Sequence, residues 1–68
     1  MVKKGDTVRW KYGRGHAEGK VVEVHKEAIE RTIDGKTIKR NGSSDNPAVV
    51  IEQDDKQRVL KLASELES

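Results

Sequence analysis

Near the start of the chain, apolar and polar residues alternate one by one. Val8, Trp10 and Tyr12 fall on one side, and Thr7, Arg9 and Lys11 on the other. After a glycine-rich stretch, Val22 and Val24 share a face. Alternation with a period of two marks half-buried strands, and glycines at their boundaries mark turns. The pattern predicts a hairpin: a first strand from Gly5-Asp6 to about Tyr12, a loop over Gly13–Gly19, and a long second strand from Gly19. Gly5 supplies the positive φ that such a strand entry needs, and Asp6 a side chain that caps turns.

The second strand does not keep its phase. The apolar positions Val24 and Ile29 are an odd number of residues apart, which predicts a bulge or sharp bend near Lys26 to Ala28. Ile29 and Ile33 also have the spacing of a helical turn, but Asp34-Gly35 argues for a hairpin. That dipeptide suits a two-residue turn with positive φ at both central positions. The turn sets Thr32 opposite Thr37, Arg31 opposite Ile38 and Glu30 opposite Lys39, a register with matched polar pairs and opposite charges.

Residues 41–47 are a loop by composition. Ala48-Val49-Val50-Ile51 is apolar on both faces, as in a strand covered on both sides. Gln53 to Gln57 is a polar turn. Val59, Leu62, Ala63 and Leu66 fit a helix period, whereas Arg58 to Leu62 also reads as a strand that closes an otherwise open sheet. The expectation is a strand over 58–62 followed by a helical turn at 63–66. The reading is a single all-β domain over 1–68, a small five-stranded antiparallel barrel, with Val8, Val22, Val24, Val49, Ile51 and Leu60 in or near its core.

Composition narrows the function classes. Sixty-eight residues without cysteine exclude disulfides and thiolate metal sites. One Trp, one Tyr and no Phe leave stability to the aliphatic residues. The net charge is only +2, yet residues 1–26 carry seven basic groups against three acidic ones, and residues 27–68 seven against nine. The first hairpin is therefore a basic patch, unless its charges only solvate a strand face. No apolar run approaches the ~20 residues of a membrane span. Met1-Val2-Lys3-Lys4-Gly5 leads into no secretory signal, so a cytoplasmic location without membrane association is expected.

Lys4-Gly5-Asp6-x-Val8-x-Trp10, then Gly19-Lys20-Val21-Val22-Glu23, resembles the opening of Tudor and KOW modules. Three further segments narrow the likeness: Gly35-Lys36-Thr37-Ile38, Asp45-Asn46-Pro47 before Val49-Val50-Ile51, and Leu62-Ala63-Ser64-Glu65-Leu66. The whole chain resembles the bacterial and fungal hypervirulence-associated TUDOR domain. The order of these segments carries the resemblance, since no one of them is diagnostic. It implies a five-stranded, Src-homology-3-like (Tudor-like) barrel and no established activity. A Tudor methyl-lysine cage needs several aromatic walls. Trp10 and Tyr12 supply two at most, so no cage is expected, and Trp10 is read as shielding the core.

Catalytic chemistry is not expected. Gly13, Gly15 and Gly19 are spaced one residue too widely for a dinucleotide fingerprint, and a strand follows where that motif needs a helix. His16 and His25 are read as surface residues, too few for a zinc site. Ser43, Ser44, Ser64 and Ser68 lie in no nucleophile context. Asp54 and Asp55 occupy a turn with no burial to raise a pKa. No enzyme, cofactor or metal is implied.

What remains is a binding module. The leading expectation is weak nucleic-acid or phosphate-backbone binding through Arg9, Trp10, Lys11, Tyr12, Arg14 and Lys20, basic side chains interleaved with rings that stack on bases. The alternative is a protein–protein interaction module that takes a peptide or partner protein on the barrel surface, an analogy from fold. A third reading places a small phosphorylated ligand on the backbone of Gly13–Gly19 beside Arg14.

Overall fold

A computed structural model describes residues 2–67. It is all-β. The strands are β1 (Thr7–Tyr12), β2 (Gly15–His25), β3 (Ala28–Ile33), β4 (Lys36–Asn41), β5 (Ala48–Glu52), β6 (Arg58–Leu62) and β7 (Leu66–Glu67), with a 3-10 turn over Ala63–Glu65. Five of them form a curled antiparallel sheet in the order β6-β5-β2-β1-β7. β3 and β4 form a separate two-stranded ribbon. The long second strand of the sequence pattern is thus two strands, parted by a bend at Lys26 and Glu27.

β5 is the centre of the fold, because both of its faces are covered. Val49 and Ile51 point to one side and pack with Trp10 and Val21, with Val8, Val24, Val59 and Leu66 around them. Ala48 and Val50 point to the other side and pack with Leu60, and Val22, Ile29, Ile33, Ile38 and Leu62 close over them. Successive side chains of a strand alternate sides, so a run of four apolar residues needs two apolar partners. The sheet curls over to provide the first, and the ribbon provides the second. Val49, Ile51 and Leu60 are fully buried, whereas Val8, Val22 and Val24 are half-buried at the margins.

The bend lies where the sequence phase places it, and β2 carries a bulge earlier as well. Val21 pairs with Ile51 and Glu23 with Val50, which leaves Val22 as an extra residue in β2. An extra residue turns two neighbours to the same side. Val22 and Glu23 therefore both face the ribbon, and Val24 returns to the Trp10 side, so Val22 and Val24 do not share a face. The phase change between Val24 and Ile29 comes from the bend that separates β2 from β3.

The ribbon has the expected register, with Thr32 opposite Thr37, Arg31 opposite Ile38 and Glu30 opposite Lys39. Its turn has Asp34 at φ 52° and Gly35 at φ 76°. One face of the ribbon presents Ile29, Ile33 and Ile38 to the core, with Arg31 and Arg40 beside them. The other face is exposed. The first strand begins after Gly5, whose N–H donates to the Val21 carbonyl at 2.8 Å.

Candidate functional site

The first hairpin is longer than its glycines suggest. β2 begins at Gly15, and Tyr12 pairs with Gly15 across a two-residue turn, Gly13-Arg14. The segment read as a loop, Gly13–Gly19, is therefore mostly strand, and its backbone N–H groups form no anion cradle. Gly19 lies within β2 because β2 and β5 approach closely there. A Cβ at Gly19 would stand 2.6 Å from the Glu52 carbonyl oxygen.

The alternation of β1 sorts the six residues expected to bind. Trp10 is 2% exposed and belongs to the core, so it offers no ring to solvent. Tyr12 lies two residues on, beyond the end of the core, and is 72% exposed. Arg9, Lys11 and Lys20 are on the outer face, opposite Glu18, His16 and Thr7 respectively. Arg9 also pairs with Glu67 of β7, and Lys20 with Glu52 of β5. Arg9 and Lys20 thus have carboxylate-bearing neighbours across the sheet. Lys11 has His16, and Arg14 caps the turn. The structure gathers Lys11, Tyr12 and Arg14 at the hairpin tip and leaves Lys20 roughly 17 Å away along β1, from Thr7 to Tyr12 at ~3.4 Å per residue.

Apart from His16 with Glu67, the ion pairs lie on other parts of the surface. Glu23 accepts from Arg31 at 2.7 Å and lies 2.7 Å from His25 Nε2 and 4.0 Å from Arg58. Arg58 also meets Glu52 at 3.3 Å. Glu65 accepts from Arg40 at 2.8 Å and has Lys61 at 3.7 Å. Among the described residues, Arg9, Lys11, Arg14 and Lys20 enter no ion pair. His16 is strand rather than loop, and its Nε2 is 2.8 Å from Glu67. His25 is half-buried and bonded to Glu23, not a bare surface residue.

Among the described residues two carboxyls titrate away from their ordinary range, both downwards. Hydrogen bonds from His25 and then Arg31 lower Glu23 and outweigh the effect of burial. Burial alone would raise Glu65, but bonds from Arg40 and the Leu62 N–H, with the charges of Arg40 and Lys61, bring it below its ordinary value. Both are held ionised, which suits a structural anchor and not a proton donor. Two serine hydroxyls have structural roles too. Ser43 Oγ accepts from the Asn46 N–H at 3.1 Å and Ser64 Oγ from Asn46 Nδ2 at 3.1 Å, while Ser68 lies outside the described residues.

The inner side of the hairpin tip faces the ribbon across a groove of about 430 Å³. Tyr12 forms one wall and Ile33 and Ile38 the other, with Trp10 and Val59 at the base. Sequence reasoning identified Tyr12 but not this groove. It exists because the bend after His25 folds the ribbon back towards β1, and no local residue pattern states that distance. Among the described residues no helix is long and apolar enough to cross a membrane.

No curated protein and no solved structure matches the chain. Residues 5–66, from the glycine before β1 to the first residue of β7, match the sequence model of the hypervirulence associated proteins TUDOR domain, and the chain belongs to that family.

Proposed function

We propose that this domain is a non-enzymatic binding module that holds the phosphate backbone of a nucleic acid at the tip of its first hairpin. One observation carries the reading. Tyr12 is exposed at the tip beside Lys11 and Arg14, two cations that no carboxylate neutralises among the described residues. Free cations attract phosphates and gain from counterion release. An exposed ring adds a stacking surface for an unpaired base. Arg9 and Lys20 contribute charge further along the same face, moderated by Glu18, Glu67 and Glu52. The binding is weak because few cations take part, and a cytoplasmic setting supplies such partners.

The test is titration of single- and double-stranded oligonucleotides at several salt concentrations. Binding at low salt that falls steeply as salt rises supports the reading. Absence of binding to both forms at low salt rejects it and leaves a protein partner as the reading. A pull-down with and without nuclease then identifies which class of molecule is retained.

A further inference from the structure

The groove behind Tyr12 has a chemistry of its own. Its walls are Tyr12 on β1 and Ile33 and Ile38 on the ribbon, and its volume exceeds that of one nucleobase. Its polar rim comes from two turns and from Lys36, which lies opposite Ile33 on the inner face of the ribbon. The ribbon turn brings Asp34, and the β5–β6 turn brings Asp55 and Gln57. Asp34 makes no hydrogen bond or ion pair among the described residues. Asp55 spends one oxygen on the Gln57 N–H at 3.0 Å and keeps the other. Arg58, also at the rim, is committed to Glu52 at 3.3 Å. The groove therefore offers hydrogen-bond acceptors to whatever enters it, beside the cation of Lys36.

We infer that this groove seats one base of a single-stranded nucleic acid, stacked on Tyr12, and that it favours guanine. The inference rests on the nucleic-acid reading above and adds to it the ligand's orientation and the base selected. The backbone runs over the tip cations Lys11 and Arg14 and over Lys36 at the groove's edge, and the base turns inward to the acceptors. The base enters ring-first, because Tyr12 and the isoleucines offer flat apolar contact. Guanine presents two adjacent donors, N1–H and the N2 amino group, which one carboxylate can accept together, as it does with the paired donors of arginine. Thymine and uracil present a single N–H between two carbonyls, and those carbonyls face the carboxylates unfavourably.

The experiment uses the full chain and fluorescently labelled ten-residue oligothymidines, either uniform or with one central guanine, adenine or cytosine. Anisotropy titrations at low salt should show the guanine-containing strand bound roughly fivefold or more tightly than the uniform one. Asp34→Asn should erase that preference without weakening the uniform strand. Asparagine tolerates the positive φ of this turn, so the ribbon should remain folded. Tyr12→Ala should weaken every strand, with the melting temperature checked alongside. Equal binding of all four wild-type complexes, with strong salt dependence, overturns the base pocket and leaves backbone binding standing. No binding of any strand removes both. If instead a lysine- and arginine-rich peptide binds, and Tyr12→Ala abolishes that binding, the groove belongs to a cationic peptide and the inference is wrong.

Discussion

Arg31 reaches back across the bend after His25 to Glu23, and the two meet at 2.7 Å although they are eight residues apart in the chain. The contact depends on the bulge. Val22 is extra, so Glu23 turns to the ribbon side, where Arg31 stands on the inner face of β3. Arg40 and Glu65 make the matching contact further along the ribbon. The three isoleucines on the same face as these arginines cover the second face of β5. Burial of the isoleucines supplies the energy that holds the ribbon down, and the two ion pairs fix where it lies.

The first prediction concerns this anchor and acid. Glu23→Gln should cost about 1 kcal/mol or less at neutral pH, since both partners are partly in water. The sign of the pH dependence follows from the direction of the shift. The folded Glu23 titrates below its ordinary value of 4.5, so its stabilising contribution is complete above that pH. It is lost as the pH falls through the lowered folded value. Melting temperatures of wild type and variant should differ at pH 7 and converge at low pH. A difference that grows on acidification would contradict the role given to Glu23.

A second prediction tests the ribbon turn. Gly35 sits at φ 76°, and a Cβ there would meet nothing within 4 Å. Gly35→Val should therefore destabilise by conformation and not by collision, by roughly 1–2 kcal/mol, because a β-branched residue resists the left-handed region. Gly35→Asn should cost less, since asparagine tolerates that region. Equal melting temperatures for the two variants would show that the turn relaxes freely.

A third prediction contrasts two glycines of one strand. At Gly19 an added Cβ would press on backbone, 2.6 Å from the Glu52 carbonyl oxygen and 2.7 Å from Ile51 Cγ2. At Gly15 it would meet nothing within 4 Å. Gly19→Ala should force β2 and β5 apart and cost about 1–3 kcal/mol. Gly15→Ala should change stability by a few tenths at most, in line with an exposed strand position. Chemical denaturation of the two variants measures the contrast directly.

These glycines show where the sequence is readable and where it is not. The ribbon turn is written locally, because Asp34-Gly35 between alternating segments admits few backbones, and the register of six residue pairs follows from it. β5 is equally plain, since four apolar residues in a strand demand cover on both sides. Gly19 misleads, because a glycine needed for close strand packing looks the same in sequence as one needed for a turn, as Gly13 is. Only the proximity of Glu52, distant in the chain, separates the two. The bulge at Val22 is hidden for a related reason. Val21, Val22 and Val24 are interchangeable in pattern, and the choice among them is made by what β5 places opposite. Of the expected binding residues, the cations were legible as a charged hairpin. The separation of Tyr12 from Trp10 was not, because it depends on where the core ends along β1.

The last prediction separates the hairpin tip from the rest of the basic face. Lys11 and Arg14 stand at the tip with Tyr12, whereas Arg9 and Lys20 lie across from Glu18, Glu67 and Glu52. Replacing Lys11 and Arg14 together by alanine should weaken nucleic-acid binding similarly for all sequences. It should also flatten the logarithmic salt dependence by about two units, one for each phosphate contact removed. Replacing Arg9 and Lys20 together should lower the slope less, because the neighbouring carboxylates already offset much of their field. All four side chains are exposed, so neither double variant should shift the melting temperature by more than a surface change does. If the two pairs reduce the slope equally, the charge is read by the whole face and not by the tip. Tyr12 would then lose its place at the centre of the site, since a strand spread along the outer face of β1 would pass on the side opposite its ring.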